Sequence, residues 1–333
     1  MAIGIGRRQF ISALGGAAVT WPIAARAEQA DRVRRIGVLT SYSEADPEGQ
    51  VQLAQFRQVL QDLGWVVGRN VQIDYRWSAG NIDNTRKYAR ELVALAPDVI
   101  LAAPSNVVIR LLTETRSIPI VFANVSDPIT QGVVASLARP GGNVTGFSNP
   151  PFSLVGKSLQ LLKEVAPGVS RVALIISDSN GAAPIYFRVF DDVANTLAIT
   201  PVKSPFHDRS GIEQAIEVFA REPNGGLFVP RDNISEENRD LFVELAARHH
   251  LPAVYARRTI VADGGLMSYG SDPLEQYRGA ASYVDRILRG EKPGDLPVQE
   301  PTKFEFVINL RTAKALGLTI PQALRTTADE VIE

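Results

Sequence analysis

From Arg34 onward the apolar positions alternate between two spacings. "RRIGVLT" (34–40) is a short, nearly continuous apolar run that predicts a buried strand. "EGQVQLAQFRQVLQDLGW" then sets Val51, Phe56, Val59, Leu60 and Leu63 on one helical stripe, with Gly64 as its stop. "NVQIDYRW" places Val71, Ile73, Tyr75 and Trp77 on one face, as a half-buried strand does. "NTRKYARELVALAP" predicts a helix closed by Pro97, "DVILAA" a strand, "SNVVIRLLTETR" a helix and "IPIVFAN" a strand. The order β-α-β-α-β-α-β implies a parallel sheet with helices on both faces.

A glycine-rich stretch, "LARPGGNVTGFS" (137–148), interrupts this rhythm, which restarts beyond it. "SLVGKSLQLLKEVAP", "PIYFRVFDDVANTLA", "IEQAIEVFAR" and "SEENRDLFVELAARHH" predict helices. "RVALIIS", "ITPVKS", "GGLFVP", "PAVYAR" and "GLMSYG" predict the strands among them. A long helix ending at Gly290, the strand "FEFVINL" and a mostly helical tail from Thr312 complete the chain. The fold class expected is α/β: two doubly wound lobes, each with a parallel sheet of about five strands.

The length of 333 residues agrees with two domains. Net charge is −1, so no nucleic-acid or polybasic membrane partner is indicated. There is no cysteine, which excludes disulfides, thiolate nucleophiles and cysteine-based metal sites. At the N-terminus, "GRRQFIS" puts two arginines ahead of a modestly apolar run that ends in "ARA". Charged, apolar and small-x-small in that order predict a cleavable export signal over residues 1–27, of twin-arginine type, cut near Ala27. The run is too short, and too diluted by Gly15, Gly16 and Thr20, for a spanning helix of about 20 apolar residues.

The glycine stretch is either a phosphate cradle or a joint. A dinucleotide fingerprint needs G-x-G-x-x-G after a first strand, opening a helix; Gly141, Gly142 and Gly146 are spaced G-G-x-x-x-G and lead into a strand-like "VTGFS". No P-loop and no G-x-S-x-G elbow is present. His249 and His250 are adjacent on a helix and point about 100° apart, so they do not chelate as a helical pair. No catalytic residue, metal site or cofactor is therefore expected.

What remains are the strand ends, where open α/β sheets bind ligands. They carry Ser41 and Tyr42, Ser105 and Asn106, Asp127, Asn180, Asp232 and Tyr269. Together these suit a small zwitterion. Serine hydroxyls and helix N-termini take a carboxylate, Asp127 or Asp232 an ammonium, and Tyr42 or Tyr269 covers an apolar group. Taken singly, the same residues read equally well as helix caps, Asp127 before Pro128 above all.

"SIPIVFANVSDPITQGVVASLARPGGNVTGFS", "GKSLQLLKEVAPGVSRVAL", "GGLMSYGSD" and the long C-terminal run "YRGAASYVDRILRGEKPGDLPVQEPTKFEFVINLRTAKALGLTIP" resemble the substrate-binding proteins of ABC transporters, in the subfamily associated with tryptophan and tyrosine. The resemblance starts at "RIGVL" and covers essentially all the chain beyond the signal. It implies a type I periplasmic-binding-protein fold: two lobes, three crossovers, and a cleft that holds the solute. On that pattern residues 31–145 form lobe 1, completed by about 275–300 and the C-terminal tail, and residues 146–274 form lobe 2. Gly141, Gly142 and Gly146 become the hinge of the first crossover, the second falls near Ser271–Leu274 and the third near Pro301–Phe306 within 301–333. The site carried over is Ser41, Tyr42, Ser105, Asn106, Asp127, Asn180, Asp232 and Tyr269. "AAPSNVVIRLL" departs from the family's usual small residues after the third strand and leaves the solute open. The implied role is a monomeric periplasmic receptor that passes an amino acid or related carboxylate to an inner-membrane ABC permease. The alternatives are a sensing subunit for a signalling receptor and an α/β enzyme.

Overall fold

The computed structural model describes residues 32–149 and 152–333. The expected export signal and its cleavage point lie outside the described residues. Among those described, no helix is long and apolar enough to cross a membrane.

The first lobe is a five-stranded parallel sheet in the order β2-β1-β3-β4-β5. Its strands are β1 (Arg34–Thr40), β2 (Val71–Trp77), β3 (Val99–Ala103), β4 (Ile120–Val125) and β5 (Val144–Ser148). Helices α1 (Pro47–Asp62), α2 (Ile82–Ala94) and α3 (Ser105–Glu114) connect them. The alternation in β1 decides the layering. Ile36 and Val38 face a core with Leu53, Phe56 and Leu60 of α1, while Leu39 faces the opposite core with Leu92 of α2 and Leu111 of α3. Phe56 is fully buried, and each such side chain contributes about 1.5–3 kcal/mol. Short polar caps start the helices: Asp46 accepts from Gly49 N at 2.7 Å and Asn81 from Asn84 N at 2.9 Å.

The second lobe has a seven-stranded sheet in the order β12-β11-β10-β9-β8-β6-β7. The strands are β6 (Arg171–Ser177), β7 (Thr200–Phe206), β8 (Gly225–Val229), β9 (Ala253–Tyr255), β10 (Met267–Gly270), β11 (Glu305–Asn309) and β12 (Glu330–Ile332). Helices α4 (Leu154–Val165), α5 (Ala183–Thr196), α6 (Arg209–Phe219), α7 (Asn233–Glu237), α8 (Arg239–Arg248) and α9 (Arg258–Ala262) cover it. Among the described residues every strand pair is parallel except β10 with β11. Val172, Leu174 and Ile176 of β6 face Leu159 and Phe190, and Ala173 and Ile175 face Ile216 and Phe242.

The chain crosses between lobes three times. It leaves β5 at Ser148 and enters α4 at Leu154; it leaves β10 at Gly270 and enters α10 (Pro273–Leu288), which packs on lobe 1. After a bridge from Gln299 to Phe147 beside β5, it returns to lobe 2 at Glu305.

Two expectations are corrected here. The tail, including α11 (Leu310–Ala315) and α12 (Gln322–Thr327), belongs to lobe 2, because β11 and β12 extend that sheet to seven strands. The glycine stretch is not a crossing. Gly141 and Gly142 form a turn ahead of β5, with φ of +71° and +65°, and Gly146 lies inside β5. The connection leaves from the other end of that strand.

Candidate functional site

The C-terminal ends of β1, β3 and β4 face those of β6, β8 and β9, and one hydrogen-bonded path joins them. Ser105, the first residue of α3, accepts on its hydroxyl from Ser126 N at 3.2 Å. Ser126 Oγ accepts from Asn149 Nδ2 at 2.9 Å, and Asn149 N donates to Val125 O at 2.7 Å. Asn149 Nδ2 also reaches Asn124 O at 3.3 Å. Asn124 Oδ1 then accepts from Arg231 Nη2 of lobe 2 at 2.9 Å. Behind it, Asn180 Nδ2 donates to Asp232 Oδ2 at 2.9 Å and lies 3.4 Å from Arg231 O.

Asn124 is at the centre because of the sheet. The β4–β5 register shifts between Ala123 and Val125, and the extra residue takes φ +59°, a conformation asparagine tolerates better than most residues. Its backbone N donates to Gln276 Oε1 of α10 at 2.8 Å. Gln276 Nε2 and Asn149 Oδ1 are buried and have no partner among the described residues. Around Asn124 there are thus one cation, one open donor and one open acceptor, the set that an α-amino carboxylate requires.

Beside this polar cluster is a narrow cavity of about 40 Å³. Phe152, Tyr186, Phe228 and Tyr269 line it, with Arg231 and Asn149 at its polar side. Phe152 and Tyr186 meet edge-on, ring centres 4.8 Å apart. Burial pushes the Tyr186 hydroxyl up to about 12, with Arg231 opposing and Asp232 adding to the shift. Tyr186 is therefore a neutral donor at any physiological pH.

The expected residues fall into four groups, with Asp232 in two of them. Ser105, Asn180, Asp232 and Tyr269 lie on the path or the cavity wall. Asp127 and Asp232 both act as caps: Asp127 Oδ1 accepts from Thr130 N at 3.1 Å, and Asp232 Oδ1 from Ile234 N and Ser235 N at 2.9 and 3.3 Å. Neither carboxylate is the open counter-charge that the strand-end pattern suggested for an ammonium, because backbone amides hold them. Asn106 is exposed, and its side chain accepts from Val107 N.

Ser41 and Tyr42 are buried on another side of the cleft. There Gln52 Nε2 donates to Tyr42 Oη at 3.2 Å and to Glu48 Oε1 at 2.7 Å, and Glu48 pairs with Arg257 of lobe 2. Arg257 is only 4% exposed, and burial lowers its pKa.

Sequence reasoning missed Arg231, Asn124, Asn149, Phe152 and Tyr186. Arg231 directly precedes Asp232 at a strand end and is legible as a cation; Phe152 enters from the crossing ahead of α4 and Tyr186 from α5, and neither carries a strand-end signal.

Burial also raises the pKa of the Asp232 carboxyl, against hydrogen bonds from Asn180, Ser235, Ile234 and Ser177. A raised acid contributes stability that is present below its unfolded pKa and lost as pH rises through the folded value. Asp232→Asn removes that loss. The melting temperature of the variant relative to the parent should increase from about pH 4 towards neutrality. A flat difference across that range would contradict the assignment.

The fold has counterparts among known proteins. The family model described as ABC transporter substrate binding protein matches residues 32–332. The tyrosine-binding protein of Clostridioides difficile (strain R20291) is 28% identical over 263 residues, which cover 79% of this chain and 75% of that protein. A solved conserved domain protein from Vibrio cholerae superimposes with a TM-score of 0.84 at 26% identity, covering 90% of this chain and all of that one (100%). The ABC domain in complex with L-Trp from Streptococcus pneumonia gives 0.82 at 26% identity, covering 90% of this chain and 99% of that one.

Proposed function

The chain belongs to the ABC transporter substrate-binding protein family, and from that membership we propose that it is an exported receptor for an aromatic amino acid or a closely related carboxylate, which it delivers to an ABC permease. The observation that carries the reading is the set of groups around Asn124. The solute carboxylate takes Arg231 and Gln276 Nε2, its ammonium takes Asn149 Oδ1, and its ring packs among Phe152, Tyr186, Phe228 and Tyr269, whose cavity of about 40 Å³ widens to admit it. The names of the Clostridioides difficile and Streptococcus pneumonia relatives support the same solute class.

Ser105, Asn180 and Asp232 support this set from behind; Asp127 holds its loop; Tyr42 serves the interlobe contact at Glu48 through Gln52. Binding here is an equilibrium between open and joined lobes, and the solute favours the joined form because its partners come from both. The receptor works in the periplasm as a monomer, without catalysis.

The Glu48–Arg257 pair contributes to the joined form without touching the solute. In open lobes water hydrates both ions, so the pair biases closure rather than folding. Glu48→Gln should weaken solute affinity about tenfold with little change in melting temperature of the solute-free protein. Isothermal titration with L-tyrosine and L-tryptophan tests both statements. An unchanged affinity would remove the pair from the account, and failure of any aromatic amino acid to bind would remove the solute class.

A further inference from the structure

A second cavity lies across the wall made by Ala256, Gly270 and Ser271, which border both spaces. Its volume is about 430 Å³. Lobe 1 contributes Val51 and Gln52 of α1 with Pro273 and Leu274 of α10, and lobe 2 contributes α9 and Glu305 at the start of β11.

The polar groups of this cavity do not balance. Gln52 is fully buried, and its Nε2 faces the Glu48 carboxylate and Tyr42 Oη. A carboxylate only accepts, which fixes the amide orientation and leaves Oε1 as an acceptor with no partner among the described residues. Ser271 Oγ, on a residue 7% exposed, is likewise without one. The charges at the wall are mostly matched: Glu48 with Arg257, Asp263 with Arg239, Asp272 with Arg278, and Arg258 with Glu330. Glu305 is the one lining carboxylate without an ion pair among the described residues.

Two buried oxygens and one uncompensated carboxylate, beside apolar walls at Val51, Pro273 and Leu274, are complementary to three N–H donors on a short hydrocarbon chain. We propose that this cavity binds a small primary alkylammonium ion, separately from the solute in the aromatic cavity. The ammonium donates to Gln52 Oε1, Ser271 Oγ and Glu305, and the chain lies on the apolar wall. Because Gln52 and Glu305 sit on different lobes, the ion favours the joined form, so it and the solute strengthen each other's binding by the same factor.

The test is titration of the purified protein with n-butylammonium, with butyrate and n-butanol as the anionic and neutral counterparts. The expected result is binding of the ammonium at least about tenfold tighter than either counterpart. Glu305→Gln and, as a second variant, Ser271→Ala should each weaken it, while Arg231→Ala, which removes only an interlobe hydrogen bond outside this cavity, should weaken it less than either. Equal binding of butyrate, no binding of the ammonium at tens of millimolar, or a larger loss of it in Arg231→Ala than in Glu305→Gln would overturn the proposal. The last outcome would place the amine in the solute site, and none of the three bears on whether that site takes an aromatic amino acid.

Discussion

Arg231→Ala is expected to lower solute affinity about 100-fold, close to 3 kcal/mol, while leaving the solute-free fold almost unchanged. The asymmetry follows from the partners of the guanidinium. In the solute-free protein its hydrogen-bonded side-chain partner is the neutral Asn124 Oδ1 at 2.9 Å, and truncation removes one such bond, about 1 kcal/mol. With solute present the same group faces a carboxylate in a cleft shielded from water, where charge-assisted bonds are roughly twice as strong. Arg231→Lys keeps the charge and loses the planar fork, so it should fall between the two. Calorimetric titration beside a urea denaturation curve separates the effects. A variant that binds normally, or one that unfolds at a much lower urea concentration, would contradict this assignment.

Gly146→Ala is expected to destabilise the fold by about 3 kcal/mol or more. At φ +154° a side chain is disfavoured, and a Cβ there would sit 2.2 Å from Phe122 O and 2.6 Å from Phe122 N on the neighbouring strand. Backbone atoms of the paired strand β4 cannot yield as a flexible side chain can. Gly141→Ala and Gly142→Ala meet nothing within 4 Å, so each carries only the cost of positive φ, about 1–2 kcal/mol. Neither should change solute affinity, since both lie ahead of β5 and not in a crossing. A loss of affinity with intact stability in either turn variant would restore these glycines as a hinge.

The alternation of apolar periods made the two α/β lobes legible because each strand sorts its side chains by parity, as β1 and β6 do between their two cores. The tail was not legible in the same way. β12 is three half-buried residues, and its place beside β11 is set by pairing across more than twenty residues, which no local pattern records. The glycine stretch misled for a related reason. Its composition permits a turn, but whether the turn precedes the last strand of a lobe or follows it depends on which strand β5 pairs with.

At the site, the strand-end rule leads to the neighbourhood of Ser105, Asn180 and Asp232, yet a side chain's role depends on who already holds it. Asp127 and Asp232 look like counter-charges in sequence and are occupied by backbone amides. Arg231 stands beside Asp232 and has a neutral partner. That difference becomes visible only when the hydrogen bonds are counted.

One solute, an aromatic amino acid or close carboxylate, is proposed to join the two lobes through Arg231. The most direct measurement is a thermal-shift comparison of the parent protein and Arg231→Ala against amino acids, aromatic acids, sugars and nucleotides. A solute at about 100 times its Kd adds roughly 2.7 kcal/mol to the folded state, a shift easily resolved. A rise in melting temperature is expected with aromatic amino acids or aromatic carboxylates, and it disappears in Arg231→Ala. A rise with a nucleotide or sugar instead, or an aromatic amino acid shift that survives in Arg231→Ala, would contradict it.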